Sequence, residues 1–517
     1  MSAKGPLSDA AIAAVRAGYA FDAAALEMGA LVNGAALPDV PIRIPLSMVN
    51  RHGLVAGATG TGKTKTLQLL AEQLSAAGVP VFAADIKGDL SGLATAGEPS
   101  DKLLARTQGI GQHWVGAAAP TEYFTLGGLG VGIPIRASVQ KFGPLLLSKV
   151  LGLNATQESS LGLVFHYAKK ANLPLVDLGD LRAVLNHLVS PEGKGALVEL
   201  GGLSKATTGV ILRELIMFSD QGADVFFGEP AIDVATFLRT TTDGKGLVSL
   251  LEVPSVVDKP ALFSTFLMWL LAELYGSLPE VGDLPKPKLV FFFDEAHLLF
   301  KDASKDFLTV ITQTVRLIRS KGVGIFFVTQ TPKDVPGDVL AQLGSRVQHQ
   351  LRAHTPDDAR ALKATVSTYP NSGYDLGDVL TTLATGEAIV TVMNEDGAPT
   401  PVAWTRLRAP QGSMSPTPSE HILATVEASS LRALYGTPID PTSAHDLLSA
   451  RARDAAAKTV VDEAPEEASD ADETVDASSE PRAPRSTAPA QSRRKPREAK
   501  RDSIAGVILG KIFGRTR

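Results

Sequence analysis

Apolar positions along the chain follow two rhythms. The first is a set of short strand-like runs, read as apolar on both faces: His52 to Ala56, Val81 to Asp85, Gly246 to Val253, Lys288 to Glu295, Gly322 to Gln330, Arg346 to Arg352 and Glu387 to Met393. Strands with no polar face are those of a parallel sheet covered by helices on both sides. The second rhythm is helical, as in TKTLQLLAEQLSAAG, where Leu67, Leu70 and Leu74 share one face and Gly78 ends the segment. Strand, helix and strand in that order make a βαβ unit, so a doubly wound, mainly parallel α/β sheet is predicted.

Between Ser138 and Ser219 the strand signal stops, and helical segments such as TQESSLGLVFHYAKKA and KATTGVILRELIMF replace it. A crossover needs only about a dozen residues, so this stretch reads as an all-helical insertion between the second and third core strands. The reading divides the chain into an N-terminal extension (1–45), an α/β core in two parts (46–137 and 229–409) and a helical insertion (138–228). A helical segment (410–457), a charged linker (458–502) and an amphipathic terminal helix (503–517) follow. Asp462 to Glu480 carries nine acidic and no basic residues, and Arg482 to Arg501 eight basic and one acidic. Such a polyampholyte is predicted to be a disordered C-terminal tail.

Composition narrows the chemistry. Hydrophobic residues are 44% and charged residues 20% of 517, ordinary for a globular protein. The net charge of −5 gives no global attraction to nucleic acid. The absence of cysteine excludes disulfides, thiolate zinc sites and cysteine nucleophiles, and suits a reducing compartment. The N-terminus lacks an apolar secretory core, and Ala261 to Leu274 is too short to span a bilayer and holds Glu273. A cytoplasmic location is expected.

GATGTGKT (Gly57, Ala58, Thr59, Gly60, Thr61, Gly62, Lys63 and Thr64) matches the G-x-x-x-x-G-K-T phosphate-binding loop and lies between a strand and an amphipathic helix, the context that motif requires. Main-chain N–H groups and the helix N-terminus favour a polyphosphate. Lys63 would reach the β- and γ-phosphates, Thr64 would ligate Mg²⁺, and Lys65 closes the expected nucleotide-binding set. KLVFFFDEAH places Asp294 at a buried strand's C-terminal end, where it would hold Mg²⁺ through water. Glu295 follows, placed to orient or deprotonate the attacking water. No N-K-x-D guanine signature occurs, which makes ATP the expected nucleotide. Charge on a transferring phosphoryl group also calls for arginine. Arg316 and Arg319, one turn apart on a helix, and Arg346 and Arg352 on a later strand are all candidates, and solvated helix faces are the alternative for the first pair. DIKGD (Asp85 to Asp89) reads equally as a substrate or neighbour contact and as a plain turn. DEAH is shared with superfamily-2 helicases, but no S-A-T and no Q-x-x-G-R-x-x-R accompanies it.

The segments Ile44 to Gln68, Val81 to Gly92, Phe291 to Phe300, Arg316 to Pro336 and Leu343 to Asp358 together resemble HerA/FtsK-type P-loop ATPases, in particular the HerA-like (YjgR-like) branch. The resemblance covers roughly Phe21 to Leu407 and implies a RecA-like core of the additional-strand type, a hexameric ring and ATP hydrolysis at subunit interfaces. It casts Lys63 and Thr64 as phosphate and Mg²⁺ residues, Asp294 and Glu295 as the metal and catalytic pair, and Gln330 as the γ-phosphate sensor. Arg352 becomes the first choice for a finger reaching a neighbouring subunit, and Arg316 the second. HerA proper carries an N-terminal β-barrel, for which the residues before the loop leave little room. Three functions follow: a ring-shaped translocase on double-stranded DNA, an ATP-driven motor or switch acting on a protein or at a membrane through the C-terminal helix, and a non-hydrolysing nucleotide-binding scaffold. An intact Glu295 argues against the third.

Overall fold

The computed structural model describes residues 6–199, 202–252, 260–300 and 305–462. In chain order a helix over Asp9–Gly18 precedes a hairpin, β1 (Ala25–Asn33) and β2 (Ala35–Pro45), and then β3 (Gly53–Ala56). Helix α1 (Lys63–Ala76) leads to β4 (Val81–Asp85), and β5 (Thr121–Leu126) and β6 (Ile133–Ile135) follow. After a helical stretch come β7 (Val248–Glu252), β8 (Leu289–Phe293), β9 (Val323–Thr329), β10 (Ser345–Gln348), β11 (Glu387–Thr391) and β12 (Ala403–Leu407). Among the described residues these form one sheet in the order β2-β1-β12-β11-β10-β3-β9-β8-β4-β7-β5-β6.

From β10 to β6 every neighbouring pair is parallel, and from β10 to β2 every pair is antiparallel. This is the expected mainly parallel α/β sheet. Strand β9 lies between β3 and β8, which is the inserted strand of the additional-strand arrangement. All residues of β4, β8 and β9 are buried, in keeping with their uninterrupted apolar runs. Two expectations change. The Glu387 strand is equally apolar yet runs antiparallel, because burial on both faces does not set direction. Within the N-terminal extension, β1 and β2 form the edge of the main sheet, joined to it through β12.

The helical stretch contains α2 (Ala155–Lys170), α3 (Leu178–Val189) and α4 (Lys205–Asp220), which pack on one another. It follows β6, so two strands, β5 and β6, separate it from β4, where the sequence had suggested none. Helix α5 (Pro260–Ser277) buries Phe266, Leu267, Leu270 and Leu274 completely. A helix apolar all round belongs in a core. Its Phe266 and Trp269 meet Phe226, whose ring centroid is 5.9 Å and 5.6 Å away respectively, and Phe82 stacks edge-on against Phe237 at 5.0 Å. Helix α6 (Lys305–Ile318) docks through Phe307, Val310, Ile311 and Ile318, all buried as their spacing predicts.

Residues to His445 form one compact unit, and Asp446 opens a second. A helix spans Ala444–Asp462, past the expected start of the linker at 458. The rest of that linker and the terminal helix lie outside the described residues. No described helix is long and apolar enough to cross a membrane.

Candidate active site

Parallel strands send all their following loops to one edge. The glycine loop after β3, DIKGD after β4, Asp294 and Glu295 after β8, Gln330 after β9 and His349 to Arg352 after β10 therefore share the sheet's C-terminal edge, where ligands bind in open α/β sheets. Register fixes the spacing. Ala56 is level with Thr329, and Phe293 with Phe327, so Asp294 stands within one residue step of the loop's origin. Only β9 intervenes, a lateral distance of about 10 Å at ~4.8 Å per strand.

The loop is built from its own amides. Gly57 N–H donates to Thr329 O at 3.1 Å and Ala58 N–H to Gln350 O at 2.8 Å, while Thr61 Oγ1 donates to Ala58 O at 2.8 Å. Gly60 (φ 83°) and Gly62 (φ 113°) occupy the left-handed region that glycine alone enters without strain. A Cβ on Gly57 would come within 2.4 Å of His349 Cβ. His349 is fully buried, its Nε2 is 2.9 Å from Thr66 Oγ1, and burial with the nearby Lys63 charge lowers its pKa to about 4. A neutral imidazole thus supports the loop from below. Gly386 braces its side, accepting from Arg106 at 2.9 Å and donating to Thr61 O at 3.0 Å.

Lys63 is buried and donates to Gly57 O (2.7 Å) and Ala58 O (3.2 Å). Burial lowers its pKa, and Lys87 lowers it further, against the carboxylates of Glu295, Asp294 and Asp89. These charges act on one another as members of a single site. Thr64 is half-buried in the first turn of α1 beside them.

Asp294 and Glu295 are both buried. Asp294 Oδ1 accepts from Glu295 N–H at 2.9 Å, and burial together with the Glu295 charge pushes its pKa up to about 6. Glu295 has φ 47°, a left-handed conformation rare for a non-glycine residue and costing about 1–3 kcal/mol. Its Oε1 meets the Lys87 ammonium, and its Oε2 lies 3.2 Å from His297 Nδ1. A strained carboxylate held at the strand end is a feature of catalytic positions.

Gln330 is exposed beside the loop, and a cleft of about 180 Å³ between them is lined by Ala58, Thr59, Gln330 and Arg352. Arg352 donates to Thr59 O of its own loop at 3.3 Å. Arg316 and Arg319 are elsewhere. Both are exposed at the opposite edge, where the parallel strands begin; the Val315 carbonyl lies 2.7 Å from Nε2 of His52, the residue before β3, and Arg319 is near Arg51 and Asp283. Neither can reach the loop of its own chain. Arg346 is engaged by Thr368 and stacks over the Tyr369 ring. Lys65, placed in the nucleotide set by the motif, points away, to Gln68 Oε1 (2.9 Å) and Met414 O (2.8 Å).

A sequence profile of the family described as helicase HerA-like C-terminal matches residues 31–514. The chain belongs to this HerA-like family. A Methanocaldococcus jannaschii protein named Probable helicase MJECL08 is 24% identical over 363 residues, 66% of this chain and 64% of that protein, so the chain spans under two thirds of that relative. The DNA double-strand break repair helicase HerA of Sulfolobus acidocaldarius is 22% identical over 402 residues, 72% of this chain and 67% of the relative. Among solved structures, the plasmid coupling protein TrwB in complex with the non-hydrolysable ATP analogue ADPNP aligns with a TM-score of 0.51 at 17% identity, covering 80% of this chain and 95% of that one, a likeness of fold. In this HerA-like chain, sequence reasoning missed His349, Gly386 and the part played by Lys87. The first two act on the loop from positions remote in sequence, and the DIKGD turn alone carried a local signal for the third.

Proposed function

We propose that this HerA-like chain is a Mg²⁺-dependent ATPase, the engine of a hexameric ring that moves along double-stranded DNA. The observation that carries the reading is the shared sheet edge: a phosphate-binding loop with Lys63, and the Asp294–Glu295 pair with one strand between them. Lys63 and the loop amides would hold the β- and γ-phosphates, Gln330 would sense the γ-phosphate, and Glu295 would take a proton from the attacking water. The new bond joins the water oxygen to the γ-phosphorus, the bond to the β–γ bridging oxygen breaks, and ADP leaves with the bridging electron pair.

The donor set suits Mg²⁺. Asp294 is a buried carboxylate whose charge is disfavoured by burial and by Glu295, so a cation there relieves both costs. Among the described residues no three His, Asp or Glu side chains converge on a metal cage. Mg²⁺ takes one or two carboxylates and fills the remainder with water and phosphate. Thr64 and Asp294 would hold it, and it would neutralise phosphate charge.

Ring assembly is supported by where the arginines lie. A head-to-tail ring sets one protomer's far edge against the next protomer's near edge. Arg316, on the far edge, would enter a neighbour's site, while Arg352 already touches its own loop. DNA as the track is carried over from the named HerA relative.

Two measurements on one preparation test this: ATPase rate with and without duplex DNA, and particle mass by light scattering. A hexamer whose hydrolysis rises several-fold with duplex is expected, with DNA affinity falling steeply as salt rises. A monomer indifferent to DNA would remove the translocase reading and leave a motor or switch acting on a protein or membrane.

A further inference from the structure

We propose that Lys87 is a catalytic cation in cis, exchanging between the Glu295 carboxylate in the nucleotide-free site and the γ-phosphate of bound ATP. The inference rests on the ATPase reading above and goes beyond it by assigning a residue outside the loop and acid motifs.

The geometry starts at β4. Asp85, fully buried at that strand's end, accepts N–H bonds from Gly88 (2.8 Å) and Leu90 (2.9 Å). These two bonds close a tight turn that Gly88 completes with φ 76°. Lys87 stands at the crest of the turn, its backbone fixed by Asp85 and its side chain about half exposed (46%) on a flexible four-carbon stem. Its ammonium contacts Glu295 Oε1, and Asp294 and Asp89 both favour its charged form. The Lys87 charge also helps to lower the Lys63 pKa. Lys63 holds the loop at Gly57 O and Ala58 O and Lys87 holds Glu295, so the two ammonium groups stand on the two halves of the proposed site.

The arginines do not fill that role within the chain. Arg316 and Arg319 are at the opposite edge, and Arg352 bonds the outer face of the loop at Thr59 O. Among the described residues, Lys63 and Lys87 are lysines that bear on the acid pair, and His297 Nδ1 lies 3.2 Å from Glu295 Oε2. Lysine is a compact point charge that can swing between acceptors, unlike the planar fork of arginine. An ammonium bound to Glu295 makes that carboxylate a poorer base. A terminal phosphate carries more negative charge than a carboxylate, so it competes for the ammonium. Moving Lys87 to the phosphate would free Glu295 to accept the proton, and place positive charge on the group being transferred. ADP, lacking that group, would leave Lys87 on Glu295.

A double-mutant cycle tests the exchange, using ADP and the β,γ-imido analogue of ATP with Mg²⁺ as probes, and steady-state kinetics. Lys87→Met is expected to lower kcat at least 30-fold, to weaken the analogue about tenfold and to leave ADP affinity within twofold. Glu295→Gln removes the competing partner, so it is expected to bind the analogue several-fold more tightly than the wild type, and Lys87→Met in that background should abolish the gain. Lys87→Arg should restore part of kcat. If Lys87→Met leaves kcat and analogue affinity within twofold, or raises kcat, the exchange is wrong. If Glu295→Gln itself turns over normally, the underlying ATPase assignment fails instead, so the two failures are distinguishable.

Discussion

Glu295→Gln is expected to reduce ATP hydrolysis by about 10³-fold while nucleotide still binds. General-base catalysis contributes roughly 10²–10⁴ in rate, and glutamine has the same shape with no basic oxygen. The backbone conformation at φ 47° is held by neighbours that the substitution leaves in place: Asp294 Oδ1 on its N–H and the Ala296 N–H donating to Val328 O at 2.7 Å. Removing the charge beside Asp294 relieves the repulsion that raises the latter's pKa, and the half-exposed Lys87 is left facing water, so the variant should still fold. Single-turnover hydrolysis with binding measured in parallel separates the two effects. Hydrolysis within tenfold of the wild type would show that Glu295 is not the base.

The second large effect is at Lys63. Lys63→Met keeps the volume and removes the charge that grips phosphate, and should weaken ATP binding by about 10²–10³-fold, in the range of a lost charge-assisted contact in a water-poor site. The nucleotide-free protein should respond in the opposite direction. Lys63 is buried, its ammonium satisfied by two loop carbonyls, and burial is the leading cause of its lowered pKa. The buried ammonium carries a desolvation cost that a thioether of similar size does not. Calorimetry on the free protein and titration with ATP are thus expected to diverge: an unchanged or higher melting temperature, and nucleotide affinity nearly lost. A lower melting temperature together with intact affinity would place Lys63 in a structural role.

How much of this was legible in the residues depends on locality. Strands β3, β4, β8 and β9 are uninterrupted apolar runs, and the loop and the acid pair follow directly from them, so both halves of the site could be read in sequence. β5 (TEYFTL) opens with half-buried polar residues and β6 (IPI) has three positions, too little pattern to separate from a loop; their pairing with β7 and with each other makes them strands. β12 alternates buried and half-buried residues, and the AWTRL segment gave no apolar run. The helical stripe on α6 was correct, yet periodicity reports which face of a helix is wet and is silent on which sheet edge it reaches, so Arg316 could not be excluded from its own site. His349 was hidden for a different reason. It lies in the Arg346 to Arg352 run, which reads as an ordinary strand, just past the end of β10, and its contact with Gly57 and Thr66 spans nearly 300 residues of chain. Lys65 is the reverse case: the motif's neighbourhood suggests nucleotide, and its ammonium donates to the carbonyl of Met414.

The joint placement of loop and acid pair is tested most directly by a spin probe at the metal position. With Mn²⁺ replacing Mg²⁺, and the β,γ-imido analogue of ATP, electron paramagnetic resonance is expected to show one Mn²⁺ per chain coupled to ³¹P nuclei, and binding should collapse in Asp294→Asn and in Thr64→Ala alike. Mn²⁺ that binds with phosphorus coupling in both variants, or that needs Asp294 yet shows no coupling to phosphorus, would mean that the loop and the acids belong to separate sites.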